Sequence, residues 1–322
     1  MRVFICEYVT SGGWRDRALP DMLLPEAVLL RDAILADLEE LPGIHPVVAY
    51  DDRLPKPSAD SVPVRRGDDP WICWSGLAQE ADVVWPVAPE TAGLFARMVR
   101  MMTESGARLI GPTPEAAARA SSKLETSQRL TRAGIAVVPC FLLEAIPSGL
   151  DGDIVTKPDI GAGSENVRAW PGRTALPRAG AGLVVQPFVY GTPASLTVLV
   201  RPDGVTLLTV NRISLSHLVG VMTVKGVTVG AMRDETGALA KLAQQVVAAF
   251  PGLSGLIEIE IMLTPEGPVV MEIHARAGNS YCGLHAALGV NPSAFLPELI
   301  REGRPPGMPH LPPASPVDVP IR

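Results

Sequence analysis

Apolar residues recur with two different periods along the first third of the chain. Residues 2–9, RVFICEYV, form a β-rich run that ends at an SGGW turn, and residues 25–41 carry Ala27, Leu30, Ile34, Leu38 and Leu41 at helical spacing. Two more β-type runs follow, HPVVAY at 45–50 and DVVWPVAP at 82–89, then a helical segment, ETAGLFARMVRMMTESG, and a short strand, RLIG. Strand alternating with helix predicts an open, mostly parallel α/β unit over about the first 110 residues. Ligands of such sheets gather at the carboxyl ends of the strands, where residues 7–14 fall.

The pattern changes after the GPTP turn at 111–114, which marks a candidate boundary. A helical segment precedes SSKLETSQRLTRAG, in which Ser122 and Glu125 have capping-box spacing, so a new helix is expected to begin at Ser122. Lys123 then stands in a first turn, where the helix dipole disfavours a cation unless an anion shares the site. Residues 137–190 hold three β-type runs, VVPCFLL, DIVTKPD and GLVVQPFVYG, with the glycine-rich DIGAGSENV between the last two. Strands are predicted at 194–200 and 205–211, and a helix at 236–250 with Leu239, Leu242, Val246 and Phe250 on one face. The sheet of this half is expected to be antiparallel. The chain ends in the proline-dense GRPPGMPHLPPASPVDVPIR, read as an extended tail on the surface.

Composition narrows the function. With 322 residues, 47% of them apolar, the chain can bury more than one core. A net charge of −6 leaves no basic surplus for a nucleic-acid backbone or an anionic membrane, which directs attention to small-molecule partners. Cys6, Cys73, Cys140 and Cys282 are far apart and form no CxxC pair, so no zinc site or disulfide framework is expected. No apolar run reaches the length of a membrane span, and the start lacks a signal-peptide core. A cytoplasmic protein is the expectation.

The richest chemistry lies in GLIEIEIMLTPEGPVVMEIHARAGNS, which reads as a β-hairpin. A three-residue loop, Pro265 to Gly267, sets Glu260 opposite Glu272 and Glu258 opposite His274, all four on one face. Like charges directly opposite each other are destabilising, so this patch calls for a divalent or strongly cationic partner, and oxygen ligands suit Mg²⁺ or Mn²⁺. Arg276, Asn279 and Ser280 follow within a few residues and suit phosphate. Upstream, Lys157 precedes a loop in which Gly161, Gly163 and Ser164 can bring backbone N–H groups close to phosphate oxygens. That loop matches neither the Walker pattern nor GxGxxG, and a plain hairpin turn remains the alternative at this stage.

Taken in order, SSKLETSQRL, IVTKPDIGAGSENV, LVVQPFVYGTPAS, NRIS and GLIEIEIML with VVMEIHARAGNS resemble the ATP-grasp ligases over about residues 110–295. The resemblance implies an α/β protein: a parallel-sheet domain at 1–112, a small lobe with the glycine loop at 113–190, a large lobe with the metal and phosphate site at 191–303, both antiparallel, and a tail at 304–322. It implies that ATP lies between antiparallel sheets, with Lys123, Lys157, Gly161, Gly163 and Ser164 at the phosphates and Gln186, Phe188 and Val189 at the adenine. Glu260, Glu272 and His274 would hold Mg²⁺ or Mn²⁺, and Arg212, Arg276 and Asn279 would serve the transferred phosphoryl group. The implied reaction joins a small-molecule carboxylate to an amine through an acyl phosphate, and the resemblance allows a homodimer. Within the family, EYVTSGG and EIHARAGNSYCGL are most similar to tyramine–L-glutamate ligases of methanofuran biosynthesis and their methylotroph relatives. Two positions depart from the family: His274 stands where Asn is usual, and Pro187 where the hinge often carries Glu. They keep two further readings open, a catalytically degenerate ATP-binding module and an ATP-grasp kinase.

Overall fold

The computed structural model describes residues 1–176, 182–218, 220–303, 306–307 and 314–321, so much of the expected 304–322 tail lies outside the described residues. Strands β1 (Arg2–Glu7), β2 (His45–Asp51), β3 (Asp60–Val64), β4 (Val83–Val87) and β5 (Arg108–Leu109) form a parallel sheet in the order β3-β2-β1-β4-β5. Helix α1 (Leu24–Glu39) buries Ala27, Leu30, Ile34 and Leu38, as their spacing predicts. Strand order reverses between β1 and β4, and their carboxyl ends, Glu7 and Val87, are register partners. A crevice opens at such a point because the connections leave the sheet in opposite directions.

Two elements here escaped the sequence pattern. Strand β3 contains Pro63, which a central strand would not tolerate, and it lies at the sheet edge, where the missing N–H costs no ladder bond. Helix α2 (Pro70–Gln79) is announced by Asp69, whose side chain accepts from Trp71 N, and by Pro70 at the first helical position. Helix α3 (Leu94–Glu104) follows β4 and buries Phe95, Met98, Val99 and Met102.

Helices α4 (Pro114–Ser121) and α5 (Lys123–Arg132) carry the chain onward, capped by the Thr113 and Ser122 hydroxyls. The Ser122 cap is as the sequence predicts, but Glu125 turns to Arg129 instead of closing the box. Strands β6 (Phe141–Leu142), β7 (Ile154–Pro158), β8 (Arg168–Trp170) and β9 (Leu183–Pro187) make one antiparallel set. Strands β10 (Thr192–Arg201), β11 (Gly204–Leu218), β12 (Val221–Met232), β13 (Gly255–Thr264) and β14 (Gly267–His274) make a second. Strand β12, broken by glycines at 226 and 230, was not anticipated, and β11 runs well past residue 211. The two sets join through a single pair, Val221 with Arg168, into one sheet that β15 completes at ten strands. Strand β15 (Val317–Pro320), in the described part of the proline-dense end, adds to β12.

Helix α6 (Ala238–Ala249) lays Leu242, Ala243 and Val246 against β10 and β11, in a core with Leu196, Val198, Ile257 and Ile259. Helix α7 (Tyr281–Leu288) packs against α1, tying the two halves of the chain through Asp37, which accepts from Tyr281 Oη at 2.6 Å. No helix among the described residues is long and apolar enough to cross a membrane.

Candidate active site

The β13–β14 hairpin brings the acidic patch together by a route different from the one expected. Thr264 pairs with Gly267, so the loop is one residue shorter than predicted, and a bulge at Met271 then restores the partners Glu260–Glu272 and Glu258–His274. The patch receives its cations from other elements. Lys157 on β7 donates from Nζ to Glu272 Oε1 at 2.6 Å, and Lys123, at the start of α5, reaches Glu272 Oε2 at 3.2 Å. Both lysines are buried. Burial would raise the Glu272 carboxyl, but Lys157 and Lys123 outweigh it and hold the group at about 2.

The anion that the position of Lys123 demands is therefore supplied twice. Glu272 faces the ammonium, and the Asp159 carboxylate accepts from Leu124 N at 2.8 Å and from Ser122 Oγ at 2.9 Å, at the positive end of α5. Lys123 Nζ also donates to Gly161 O at 3.2 Å, so one side chain joins the hairpin to the base of the glycine loop.

His274 is bound at both ring nitrogens, by Glu90 Oε1 at Nδ1 and Glu260 Oε1 at Nε2, each at 3.1 Å. Burial alone would lower its pKa, yet these carboxylates raise it well above the ordinary histidine value. Both ring nitrogens face carboxylates, so a metal at His274 would have to displace Glu90 or Glu260. Glu90 also accepts from Arg276 Nη2 at 3.0 Å, and Arg276 with His274 holds this buried carboxyl far below its usual range against the opposing effect of burial. Behind the patch Ser280 Oγ donates to Glu258 and lies 3.0 Å from Thr197 Oγ1. Asn279 Nδ2 donates to Glu26 Oε2 on α1 at 2.8 Å.

These side chains open onto one cavity of about 310 Å³. Lys123, Lys157, Gly161, Gly163, Ser164, Glu260, Glu272, His274, Arg276 and Asn279 all line it. The glycine loop bends back through three positive-φ residues within four positions, Gly163, Ser164 and Asn166 at φ 69°, 58° and 57°. Ser164 Oγ accepts from Val224 N at 3.4 Å, and Gly163 lies close enough to Leu23 that an added Cβ would stand 3.2 Å from its Cδ2.

Four predicted residues are not among those that line this cavity. Arg212 is exposed, because strand alternation buries Asn211 and Ile213 and sends Arg212 to the opposite face. Gln186, Phe188 and Val189 also lie outside it. Gln186 is buried on β9, and the Phe188 N–H donates to Asp153 O at 2.8 Å. The sequence reading missed Glu26 as a lining residue and Glu90 as the buried carboxylate that holds His274 and Arg276, while Glu7 lines the cavity from the 7–14 stretch expected at the strand ends. A signal existed for Glu7 and Glu90: each stands at or just past the carboxyl end of a parallel strand.

The donor set suits a polyphosphate better than a bare metal ion. Among the described residues no group of three or more His, Cys, Asp or Glu side chains is arranged to hold a metal. Glu260 and Glu272 offer two carboxylates, the number that Mg²⁺ commonly takes from protein when phosphate oxygens complete its shell.

Comparison with known proteins now decides the family. An ATP-grasp domain matches residues 120–280, and a pre-ATP-grasp domain matches residues 44–117. The chain belongs to the ATP-grasp family. A search of curated proteins finds no significant match. Similar solved structures include an ATP-grasp superfamily protein of Archaeoglobus fulgidus, 18% identical with a TM-score of 0.73, covering 92% of this chain and 87% of that one. The L-amino acid ligase of Bacillus licheniformis is 17% identical with a TM-score of 0.63, covering 92% and 73%. The biotin carboxylase domain of the Hydrogenobacter thermophilus 2-oxoglutarate carboxylase, solved as a dimer with MgADP, ADP and bicarbonate, is 14% identical with a TM-score of 0.64, covering 88% and 69%. At these identities the likeness establishes the ATP-grasp fold of this chain.

Proposed function

We propose that this ATP-grasp protein is an ATP-dependent, ADP-forming carboxylate–amine ligase. The observation that carries the reading is the meeting of two buried lysine ammonium groups on Glu272, beside a glycine loop, in a cavity that also reaches the switch point of the parallel sheet. A phosphate chain entering there would offer Lys123 and Lys157 several anionic oxygens in place of one carboxylate. The loop from Gly161 to Ser164 would close over it, and residues 186–189 would contact the adenine through the backbone. Glu260 and Glu272 would hold magnesium, or manganese, which neutralises charge on the transferred phosphoryl group when bound. The ATP-grasp domain is read as 113–303, preceded by the α/β domain at 1–112.

In the reaction a substrate carboxylate oxygen attacks the γ-phosphorus, the bond to ADP breaks, and an acyl phosphate forms. The amine nitrogen then attacks the carbonyl carbon, phosphate leaves with the C–O bond electrons, and the amine loses a proton as the amide forms. Arg276, steadied by Glu90, places fixed positive charge where the phosphoryl charge develops. Asn279, tied to Glu26, links that end of the cavity to α1. The finer reading, glutamate joined to tyramine, rests on the resemblance of EYVTSGG and EIHARAGNSYCGL.

The test is ADP release by the purified protein with ATP, Mg²⁺ and glutamate, with and without tyramine. ADP and an amide that require both substrates would support the ligase. ADP with a stable phosphorylated product and no need for an amine would make it a kinase, and ATP binding with no ADP across substrate pairs would make it a degenerate module.

A further inference from the structure

Part of the cavity is not used by the phosphate chemistry, and its walls come from three distant parts of the chain. Glu26 and Leu30 of α1, four residues apart, share one helix face, and both line the cavity. Val87 lines it from β4, beside its register partner Glu7. Ile213 and Val227 are register partners on β11 and β12, and Val227 pairs in turn with Val319 of β15. Two residues beyond Val319 the chain sets Ile321 on the same wall, where Ile321 N donates to Lys225 O at 3.0 Å.

The result is an apolar compartment next to two carboxylates. Leu30, Val87, Ile213 and Val227 are 2–8% exposed and fixed within the core, whereas Ile321 is only half-buried. Its position is set by the β15 ladder and by Thr228 Oγ1, which donates to Asp318 Oδ1 at 2.6 Å. Tight packing holds the strand from behind: a Cβ at Gly283 on α7 would stand 3.1 Å from both Val317 and Val319. Burial pushes the Glu7 and Glu26 carboxyls above their usual range, a penalty that a guest ammonium would offset.

We propose that this compartment receives an amine with an apolar body, and that Ile321, presented by strand β15, is the specificity-determining residue that limits how long that body can be. The proposal rests on reading the cavity as a substrate site, and it adds a residue from the proline-dense end to the acceptor pocket. An amine bound with its hydrocarbon against Leu30 and Val227 meets Ile321 as a half-buried wall residue beside them, which can be enlarged or trimmed without opening the core.

The experiment is calorimetric binding of the n-alkylamines from ethylamine to octylamine to the full chain, with ATP binding measured in parallel. Affinity of the wild type should rise about fourfold per added methylene, from about 0.8 kcal/mol each, and then stop rising at a cutoff length. Ile321→Ala should move the cutoff to longer amines by about two methylenes, and Ile321→Trp should move it to shorter ones. Asp318→Ala, which loosens β15 without resizing the wall, should weaken the whole series and leave the cutoff in place. A cutoff identical in wild type, Ile321→Ala and Ile321→Trp would overturn the proposal, as would the absence of any length dependence. Amine cutoffs that move as expected without ATP binding would overturn the ligase reading and leave the pocket standing. ATP binding without amine binding would do the reverse.

Discussion

Replacing Glu272 by Gln removes the carboxylate that both Lys123 and Lys157 touch while keeping its shape. Burial acts to raise this carboxyl, and the attraction of Lys157 and then Lys123 overcomes it, taking the group from 4.5 to about 2. A displacement of that size corresponds to on the order of 3 kcal/mol. Breaking a buried pair by deleting one partner costs about 3–5 kcal/mol, so two routes agree on the scale. For a chain of this size about 2 °C of melting temperature accompanies each kcal/mol, and Glu272→Gln should melt about 6 °C below wild type at pH 7 without nucleotide. Because the folded carboxyl is depressed, its stabilisation is fully present above pH 4.5 and is lost as pH falls toward about 2. The two melting curves should therefore converge across that window, since protonated Glu and Gln are alike. Scanning calorimetry at a series of pH values reads both effects, and ADP release by the same variant should be abolished. Equal melting temperatures at pH 7, or a gap that persists at pH 2, would refute the assignment of Glu272 as the counter-ion of both lysines.

Lys157→Ala should weaken ATP binding at least about tenfold by calorimetry, by loss of a charge-assisted contact, and an unchanged affinity would remove Lys157 from the phosphate site. Glu90→Gln releases one side each of His274 and Arg276 from their anchor, and should lower ADP formation about a hundredfold through misplacement while the protein stays folded by circular dichroism. Asp51, buried in the grip of Arg53 at 2.6 and 2.8 Å, is held below its ordinary value of 3.8 despite the opposing effect of burial. Its contribution is present above pH 3.8 and lost as pH falls below that, so Asp51→Asn should destabilise the chain by about 1–3 kcal/mol at neutral pH, Arg53 being partly solvated, and flatten the acid limb of its stability profile.

Much of this arrangement was legible in the sequence where local rules decide it. The alternation of β1, α1, β2 and β4 gave the parallel sheet, and the Ser122 cap placed Lys123 at a helix start because a hydroxyl accepts from the N–H three residues on. The hairpin partners were legible for a subtler reason. Loop length and bulge shifted the register in compensating directions, so Glu260 met Glu272 although the loop is Pro265–Glu266 alone. What escaped was decided by distant contacts. Glu90 becomes part of the site only because α3's approach carries it under a hairpin almost two hundred residues away, and no local pattern encodes that. Arg212 lies apart from the cavity for the opposite reason: its segment was recognised, but the phase of strand β11 leaves it exposed between buried Asn211 and Ile213. Strand β12 was hidden by its glycines, and β15 by prolines that an edge position tolerates.

The departure at His274 takes its meaning from the charges around it. Lys123, Lys157, His274 and Arg276 supply four cations, and Glu90, Glu258, Glu260 and Glu272 supply four carboxylates, with Glu258 bound by the neutral Ser280 hydroxyl. On the proposed reading a phosphate chain would compete for the lysines, whose partner is Glu272, and so free that carboxylate for a magnesium ion, while Glu260 stays beside His274. It does not compete for His274, because Glu90 is 3% exposed and also bound to Arg276. On the proposed reading the histidine stands where the family usually has Asn as its last metal ligand, and a metal at Glu260 and Glu272 would have a positive charge beside it unless His274 gives up a carboxylate partner. The residue that makes this substitution workable is Glu90, and a chain with His at 274 but no acid at 90 would bury an imidazolium with only Glu260 to balance it. On that argument His274 and Glu90 form one charge pair, and the proposed site needs both residues together.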